Sequence, residues 1–279
     1  MALLHSAVTT CNRTPRKVHC RISLVGRFLL SAVAAINVAA HADTPATPTI
    51  LMVTEIQDYF DACKTIEIRV VEYIYRQKLG LAYHCDTFPW VRAQQMVKLG
   101  QRDAMVTIPT VERNAYALAS SLPVVTLNMR LFVSKKSLRY QHYLNIKTLD
   151  DLRSGVFIAQ EGSGWAQQKI VSRQIQIEWT KSIETVFKML AKNRGDFTVQ
   201  GDLYAFPVLK ELALENEIDV LPPILDKADY HLMISKRSPY TESLIQFNDA
   251  LREISNDGTL ARLTDSFVKE RYDAAENKH

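Results

Sequence analysis

The sequence predicts an α/β protein built from two lobes. Three observations support this fold class: apolar strand-like runs alternate with amphipathic helical patterns, glycine or proline separates most of them, and about 237 of the 279 residues remain once residues 1–42 are set aside. A single domain usually has roughly 100–150 residues, so this length suggests two. Regular alternation favours mostly parallel sheets whose faces are covered by helices.

Residues 1–42 have the pattern of a secretory signal peptide. Five basic residues and no acidic residue occur in this segment. An apolar run from Phe28 to Ala40 leads to Ala40-His41-Ala42, a small-x-small cleavage motif. The run is shorter than the roughly 20 apolar residues that a membrane-spanning helix needs. We therefore expect cleavage after Ala42 and a mature protein in the periplasm.

Overall charge gives little reason to expect a polyanionic partner. The formal net charge of +4 falls to about −1 without the five basic residues of the signal segment, so neither nucleic acid nor an anionic membrane is indicated. Motifs typical of zinc, nucleotide and acyl-transfer sites are missing from the sequence. We therefore expect no metal and no cofactor.

Two cysteines, Cys63 and Cys85, follow the signal segment. In an oxidising compartment they can form a disulfide that closes the intervening loop. Two buried free thiols are the alternative. The sequence leaves both open because it does not show which way the Cys85 side chain points.

The first half of the chain alternates strands with helices. Ile50–Thr54 is a short β-rich apolar run. Apolar residues recur at helical spacing from Ile66 until Gly80, which predicts a helix over Lys64–Leu79. Pro89 opens a second helix that Gly100 ends. Further strands are predicted at Leu81–Phe88, Ala104–Ile108 and Arg130–Ser134.

The second half repeats this alternation. A strand at Val156–Ala159 precedes the turn Gly162-Ser163-Gly164, which leads into a helix over Trp165–Val171. Ser182 is a suitable N-cap for a helix whose apolar face runs from Ile183 to Leu190. The remaining predicted elements are strands at Phe197–Val199 and His231–Ser235, a helix from Ser238-Pro239 to Asn256, and a last helix from Thr259.

Five strings occur in an order and spacing typical of one protein family. They are Pro89-Trp90-Val91-Arg92-Ala93, Lys98 through Ala104, Thr110-Val111-Glu112-Arg113, Thr148 through Leu152 leading to Gly162-Ser163-Gly164, and Lys236 through Leu260. In these strings, and over nearly the whole chain after residue 42, the sequence resembles family 3 of the bacterial extracellular solute-binding proteins, the amino-acid type of periplasmic receptor.

The resemblance implies a two-lobed type II periplasmic-binding-protein fold, with two crossover hinge strands and a ligand held between the lobes. The crossover strands would lie near Leu131–Lys135 and Tyr230–Ser235. Lobe one would comprise residues 49–134 plus 231–272, and lobe two residues 135–230.

The resemblance also implies a site for a ligand carboxylate. In the family the arginine of the T-x-E-R string, here Arg113, binds the carboxylate through its planar fork of donors. The glycine turn, here Ser163 and Gly164, adds backbone N–H groups at a helix start. The alternative for Arg113 is a solvated arginine paired with Glu112, and the alternative for the turn is a merely structural role.

Acidic and aromatic candidates complete the predicted site. Asp202 follows a predicted strand where the family usually places an aspartate that binds the ligand ammonium, although Gly201 is an alternative occupant of that position. Glu55, directly after the first strand, is a second acidic candidate, because open α/β sheets bind ligands at the carboxyl ends of their strands. Tyr59 and Trp90 are candidates to wall the pocket, with core packing as the alternative.

Two departures from the family pattern bear on the ligand. The G-F-x-x-D-like string expected after the first strand is missing, and Ile108 stands where a hydroxyl residue is common. The prediction is a monomeric, non-enzymatic periplasmic receptor for an amino acid or related carboxylate, with an ABC-transporter permease or a membrane sensor as partner. The alternatives are a solitary sensory receptor and a cyclohexadienyl-dehydratase-like enzyme with Glu55 or Glu161 as acid.

Overall fold

The structure is a computed structural model that describes residues 49–55, 61–152 and 154–276. The predicted signal peptide and Tyr59 lie outside the described residues. The strands are β1 Thr49–Glu55, β2 Ala82–Phe88, β3 Ala104–Thr107, β4 Ala117–Ala119, β5 Val125–Ser134, β6 Val156–Gln160, β7 Gln176–Thr180, β8 Phe197–Gly201 and β9 Ile218–Ser235. The helices are α1 Ile66–Tyr73, α2 Trp90–Leu99, α3 Val111–Tyr116, α4 Tyr140–Tyr143, α5 Gly164–Lys169, α6 Ile183–Ala191, α7 Asp202–Glu211, α8 Ser243–Asn256 and α9 Thr259–Glu276.

The strands form two sheets that share the long strand β9. In the first sheet β1 lies parallel to β2 and β3, while β3 and β4 pair antiparallel with the last residues of β9. In the second sheet β5 pairs antiparallel with β8 and with the first part of β9, and β6 lies parallel to β7 and β8. Each sheet with its covering helices is one lobe, so the predicted two-lobed α/β fold is confirmed.

Side chains of successive strand residues alternate between the two faces of the first sheet, so each face carries its own group of apolar residues. Ile50 and Met52 belong to a core beneath α1, α8 and α9, whereas Val53 belongs to a second core beneath α2. Successive strand residues point to opposite faces, so both faces of this sheet are covered by helices.

The second lobe follows the same rule. Leu131 and Val133 of β5 lie in one core, and Phe132 between them lies in another. The helices α6 and α7 cover the Phe132 side with residues such as Phe187 and Ala205. The predicted helical face that begins at Ile183 is therefore a core-facing surface.

The chain crosses between the lobes twice within this part of the fold. Strand β9 changes partners at its residues 230 and 231, which agrees with the predicted crossing at Tyr230–Ser235. The other connection is residues 120–124, between β4 and β5. Leu131–Lys135 was predicted there, but Leu131 through Ser134 pair within the second sheet. The prediction recognised only the second half of β5, because Thr126, Asn128 and Arg130 interrupt its apolar pattern.

Several elements differ from the sequence prediction. Helix α7 was not predicted, and it contains Pro207, which lacks the N–H that a helix interior uses. Edge strand β7 was missed as well. Pro89 is the N-cap of α2 rather than its first helical residue, and Ser238-Pro239 lies in a turn before α8 rather than at its start.

A disulfide joins Cys63 to Cys85, with a Cα–Cα distance of 5.9 Å. It ties the short turn Ala62–Lys64 to strand β2. The sequence left open whether these cysteines pair. The structure decides the question because it brings the two residues, 22 positions apart, to adjacent places beside the first core.

Candidate functional site

The carboxyl ends of four strands meet at a cleft between the lobes. Glu55 and Thr107 end β1 and β3 in the first lobe, and Gln160 and Gln200 lie at the ends of β6 and β8 in the second. The cleft encloses a cavity of about 160 Å³. Its walls are completed by Thr54, Ala62, Thr65, Glu67, Trp90, Val106, Ile108, Arg113, Ser163, Gly164, Trp165, Ile183, Tyr204, Val208 and Tyr230.

Arg113 is buried in the wall of this cleft, with 3% of its surface exposed. It is the third residue of α3, whose N-cap Thr110 accepts a hydrogen bond from the Arg113 backbone N–H. Its guanidinium donates from Nε and Nη2 to the Gln94 side-chain oxygen at 3.0 and 2.9 Å, and from Nη1 to the Ile108 carbonyl at 2.7 Å. Burial lowers the pKa of Arg113. The alternative of a solvated arginine is therefore wrong.

Arg113 and Trp90 of the first lobe bind one carbonyl of the second lobe. The Gly162 oxygen accepts from Arg113 Nη2 at 2.7 Å and from Trp90 Nε1 at 3.0 Å. The Arg113 guanidinium also lies 5.6 Å from the centre of the Trp90 ring. These contacts, with the bond from Gln168 Nε2 to the Pro109 carbonyl at 2.8 Å, hold the lobes against each other.

The glycine turn fits tightly beneath Arg113. Ser163 caps α5 by accepting from the Ala166 N–H. A Cβ on Gly164 would lie 2.3 Å from Arg113 Nη1 and 3.0 Å from a Thr110 methyl group. Gly164 is therefore needed for close approach of the two lobes, a reason that the local G-x-G pattern does not reveal.

Glu55 is a partly buried carboxyl at the lobe boundary. It accepts a hydrogen bond from the Gln160 amide of the second lobe. The pKa of Glu55 is raised to about 7: burial is the largest cause, the Gln160 bond lowers the pKa in part, and the charge of Glu184 at the start of α6 raises it. Glu55 therefore changes between its neutral and ionised forms near neutral pH.

Asp202 does not line the cleft. It is the first residue of α7 and accepts from Asn128 Nδ2 at 3.3 Å and from Arg130 Nε at 3.5 Å. It lines a different cavity of about 430 Å³, between α7 and Phe267 of α9. The end of β8 presents Gln200 to the cleft instead.

The cleft therefore brings together five of the seven predicted site residues, namely Glu55, Trp90, Arg113, Ser163 and Gly164. Sequence reasoning missed Gln94. Its position one helical turn after Trp90 places it on the same face of α2, and this spacing could have identified it. It also missed Gln160 and Gln200, although both lie at the end of a strand.

No helix of the described residues is long and apolar enough to span a bilayer. Within residues 49–55, 61–152 and 154–276 there is likewise no cluster of three or more His, Cys, Asp or Glu side chains suited to a metal ion. The chemistry visible in the cleft is that of hydrogen bonding, charge and aromatic contact.

Solved structures of similar fold cover most of this chain. An ancestral arginine-binding protein bound to arginine is 20% identical, with a TM-score of 0.62, over 78% of this chain and 97% of that one. A histidine kinase sensor domain similar to periplasmic binding proteins is 13% identical, with a TM-score of 0.65, over 80% and 96%. The ancestral amino-acid-binding protein described as a precursor of cyclohexadienyl dehydratase is 19% identical, with a TM-score of 0.60, over 78% and 95%.

The chain has the fold of the family 3 solute-binding proteins. No protein-family profile and no curated protein sequence matches it. In this solute-binding-protein fold the cavity occupies the gap between the lobes, and Tyr230, at the point where β9 crosses from one sheet to the other, is one of its lining residues. Polar groups from both lobes reach the same space, so a bound molecule would contact both at once.

Proposed function

We propose that this chain is an exported solute-binding protein that closes its two lobes over a small polar solute. The observation that carries the proposal is the cleft between the lobes, lined by strand ends from both and closed by direct hydrogen bonds through Trp90, Arg113 and Gly162. Ligand sites of open α/β sheets lie at such strand ends. The structural neighbours named as amino-acid-binding proteins support a solute that carries an amino group.

Hinge closure is the motion that this architecture favours. The lobes are connected by residues 120–124 and by β9. A solute that contacts both lobes is bound more tightly by the closed form and therefore shifts the population towards it.

The partner that responds to closure is a membrane protein in this proposal. Delivery to an ABC-transporter permease is the first role, and the signal-like residues 1–42 support export. A solitary sensory role is the second, favoured by the likeness to a histidine kinase sensor domain. Uptake and signalling assays of the purified protein's ligand, in strains with and without the gene for this chain, separate the two roles.

Turnover of the solute is a further candidate, favoured by Glu55. A carboxyl with a pKa near 7 is suited to act as a general acid. We propose binding without turnover. The test is recovery of the bound solute after prolonged incubation, with its mass measured: an unchanged mass supports a receptor, and a dehydrated product supports an enzyme.

The experiment that tests the proposed function uses the full chain, expressed with its own N-terminal segment in an exporting host. Amino acids, amines and small carboxylates are screened by thermal shift, and each hit is followed by small-angle scattering. A ligand at 100 times its Kd adds about 2.7 kcal/mol of stability. The expected result is a hit that also reduces the radius of gyration. Failure of every compound to change either quantity would contradict the proposal.

A further inference from the structure

We propose that the cleft selects a small organic cation, an amine or guanidine, and that it does not require a carboxylate on the ligand. This inference rests on the proposed function and narrows its ligand class. It differs from the expectation that Arg113 binds a ligand carboxylate. The ligand class depends on which donors and acceptors of the cleft are already used by the protein.

The side-chain N–H donors of Arg113 and of two cleft tryptophans are engaged by protein oxygens. Arg113 makes four hydrogen bonds, two to Gln94 and one each to the Ile108 and Gly162 carbonyls. A guanidinium has five N–H groups in all. The indole N–H of Trp90 binds Gly162, and that of Trp165 binds Asp226 at 3.0 Å. A carboxylate that bound Arg113 through two N–H groups would therefore have to displace a protein acceptor.

Displacement of the Gly162 carbonyl would be costly. That oxygen accepts from both Arg113 and Trp90 across the closed lobe boundary. A buried carbonyl left without a donor loses the free energy of its hydrogen bonds and of its hydration. Arg113 therefore acts here as a link between the lobes.

The acceptors that would bind a cation remain at the cleft surface. Glu55 faces the second lobe at the end of β1, and Gln200 uses its amide N–H to bind Thr198 Oγ1 at 2.9 Å, which leaves its carbonyl oxygen to accept. Glu184 is 5% exposed and close enough for its charge to act on Glu55. Acceptors from both lobes thus surround one space.

The charge of the cleft also favours a cationic ligand. The described lining residues include two carboxylic acids, Glu55 and Glu67, against the single cation Arg113, and Glu184 adds a third acid nearby. A cationic ligand supplies the positive charge that buried carboxylates favour.

Aromatic rings complete a wall suited to a cation. Tyr204 and Tyr230 line the cleft with ring centres 6.1 Å apart. Aromatic faces attract ammonium and guanidinium groups within about 6 Å. The Trp90 ring already lies beneath the Arg113 guanidinium, so Tyr230 is a ring that we expect a cationic ligand to contact.

Pairs of compounds that differ only in the carboxylate test the inference. Agmatine is compared with arginine, and cadaverine with lysine, by titration calorimetry on the full exported protein; glutamate is the anionic control. The expected result is that at least one decarboxylated compound binds as tightly as its amino acid or more tightly, and that glutamate produces no heat.

Two results overturn the inference in distinguishable ways. If arginine or lysine binds on the order of 100-fold more tightly than its decarboxylated partner, or if glutamate is the better ligand, the cation class is wrong and the proposed function stands. If none of the five compounds binds and no other amine does, the cation class is again wrong, and the thermal-shift screen decides the proposed function separately.

A charge-neutral variant adds a test within the protein. Glu55→Gln keeps the shape of the side chain and removes its charge, so we expect cation affinity to fall on the order of tenfold or more. Glu112→Gln removes the same charge from an exposed position beside Arg113 and should leave affinity within about twofold. Equal losses in both variants would indicate a general field effect and contradict a role of Glu55 in recognition.

Discussion

Burial has a larger effect than any neighbouring charge on the protonation of Glu55. Its pKa of about 7 in the folded protein is higher than the roughly 4.3 of a glutamate in an unfolded chain. The folded state therefore holds this proton more tightly than the unfolded state. Its contribution to stability is present at low pH, is lost as the pH rises from the unfolded to the folded pKa, and stays lost above it.

Glu55→Gln is expected to stabilise the protein at alkaline pH. A neutral amide of the same size avoids the cost of an ionised, buried carboxylate beside Gln160 and Glu184. The free energy of unfolding at pH 8 should exceed that of the wild type by on the order of 1 kcal/mol, and the difference should shrink towards pH 5. Urea denaturation at both pH values measures it. A variant that is less stable at pH 8 would contradict the assigned burial.

Gly164→Ala is expected to impair closure without unfolding either lobe. The new methyl group would meet the Arg113 guanidinium across the lobe boundary, whereas Gly164 sits in a helix that accepts alanine readily. Ligand affinity should fall on the order of tenfold, while the melting temperature without ligand changes little. Calorimetry and thermal melting measure the two effects. Gln167→Ala, at an exposed position of α5, is the matched control and should alter neither.

At the scale of elements, two short pieces of chain position the first-lobe wall of the cleft. Helix α3 presents Arg113, and the turn Ala62–Lys64 presents Ala62 beside Glu55. The turn is too short to have a core of its own. It is fixed by the disulfide to β2 and by the Asp61 carboxylate, which accepts from the Cys63 N–H at 3.0 Å.

Removal of the disulfide should destabilise the protein and loosen this turn. In Cys63→Ser/Cys85→Ser the unfolded chain regains the freedom of a loop of 22 residues, which corresponds to about 3 kcal/mol. Urea denaturation of the double variant measures the loss, and a reductant should lower the stability of the wild type but not of the variant. Equal stability of the oxidised wild type and the variant would show that the bond contributes nothing.

Two faces of helix α7 line two different cavities. Tyr204 and Val208, one helical turn apart, line the cleft, whereas Leu203 and Pro207 line the cavity on the other side towards α9. Pro207 lacks the N–H that would bind the Leu203 carbonyl. Because a proline argues against a helix interior, the sequence did not predict this helix. Tyr204 therefore could not be placed in the site from sequence.

At the scale of the whole molecule, closure depends on few direct contacts. They include the bonds from Arg113 and Trp90 to Gly162, the bond from Gln168 to Pro109, and the bond from Gln160 to Glu55. Each neutral hydrogen bond contributes about 1 kcal/mol net. Their sum is small enough for a ligand's binding energy to control the equilibrium between open and closed forms.

Weakening two of these bonds should open the molecule. Trp90→Phe/Gln168→Ala removes two donors, so the closed form should lose about 2 kcal/mol, roughly a 30-fold change in the equilibrium. Small-angle scattering without ligand should show a larger radius of gyration than the wild type. Trp179→Phe/Gln167→Ala makes the same chemical deletions at exposed positions of the second lobe, and an equal expansion in that variant would contradict the assignment of the two bonds to closure.

The sequence by itself determined the elements whose signals are local. Apolar periodicity predicted α1, α2, α6 and α8, and glycine and serine marked several of their ends, because helix amphipathicity and capping depend on residues a few positions apart. Glu55 and Trp90 were placed at the site for the same kind of reason, since each follows or begins an element that the sequence predicts.

Only the tertiary structure decided which polar groups meet. Gln94 and Gly162, which bind Arg113, come from different lobes, and Asp202 lies on the far side of α7 from the cleft although it follows β8 directly. Which donors remain available to a ligand depends on contacts between residues that are far apart in sequence. Local patterns contain no information about such contacts, because they form only when the two lobes pack against each other.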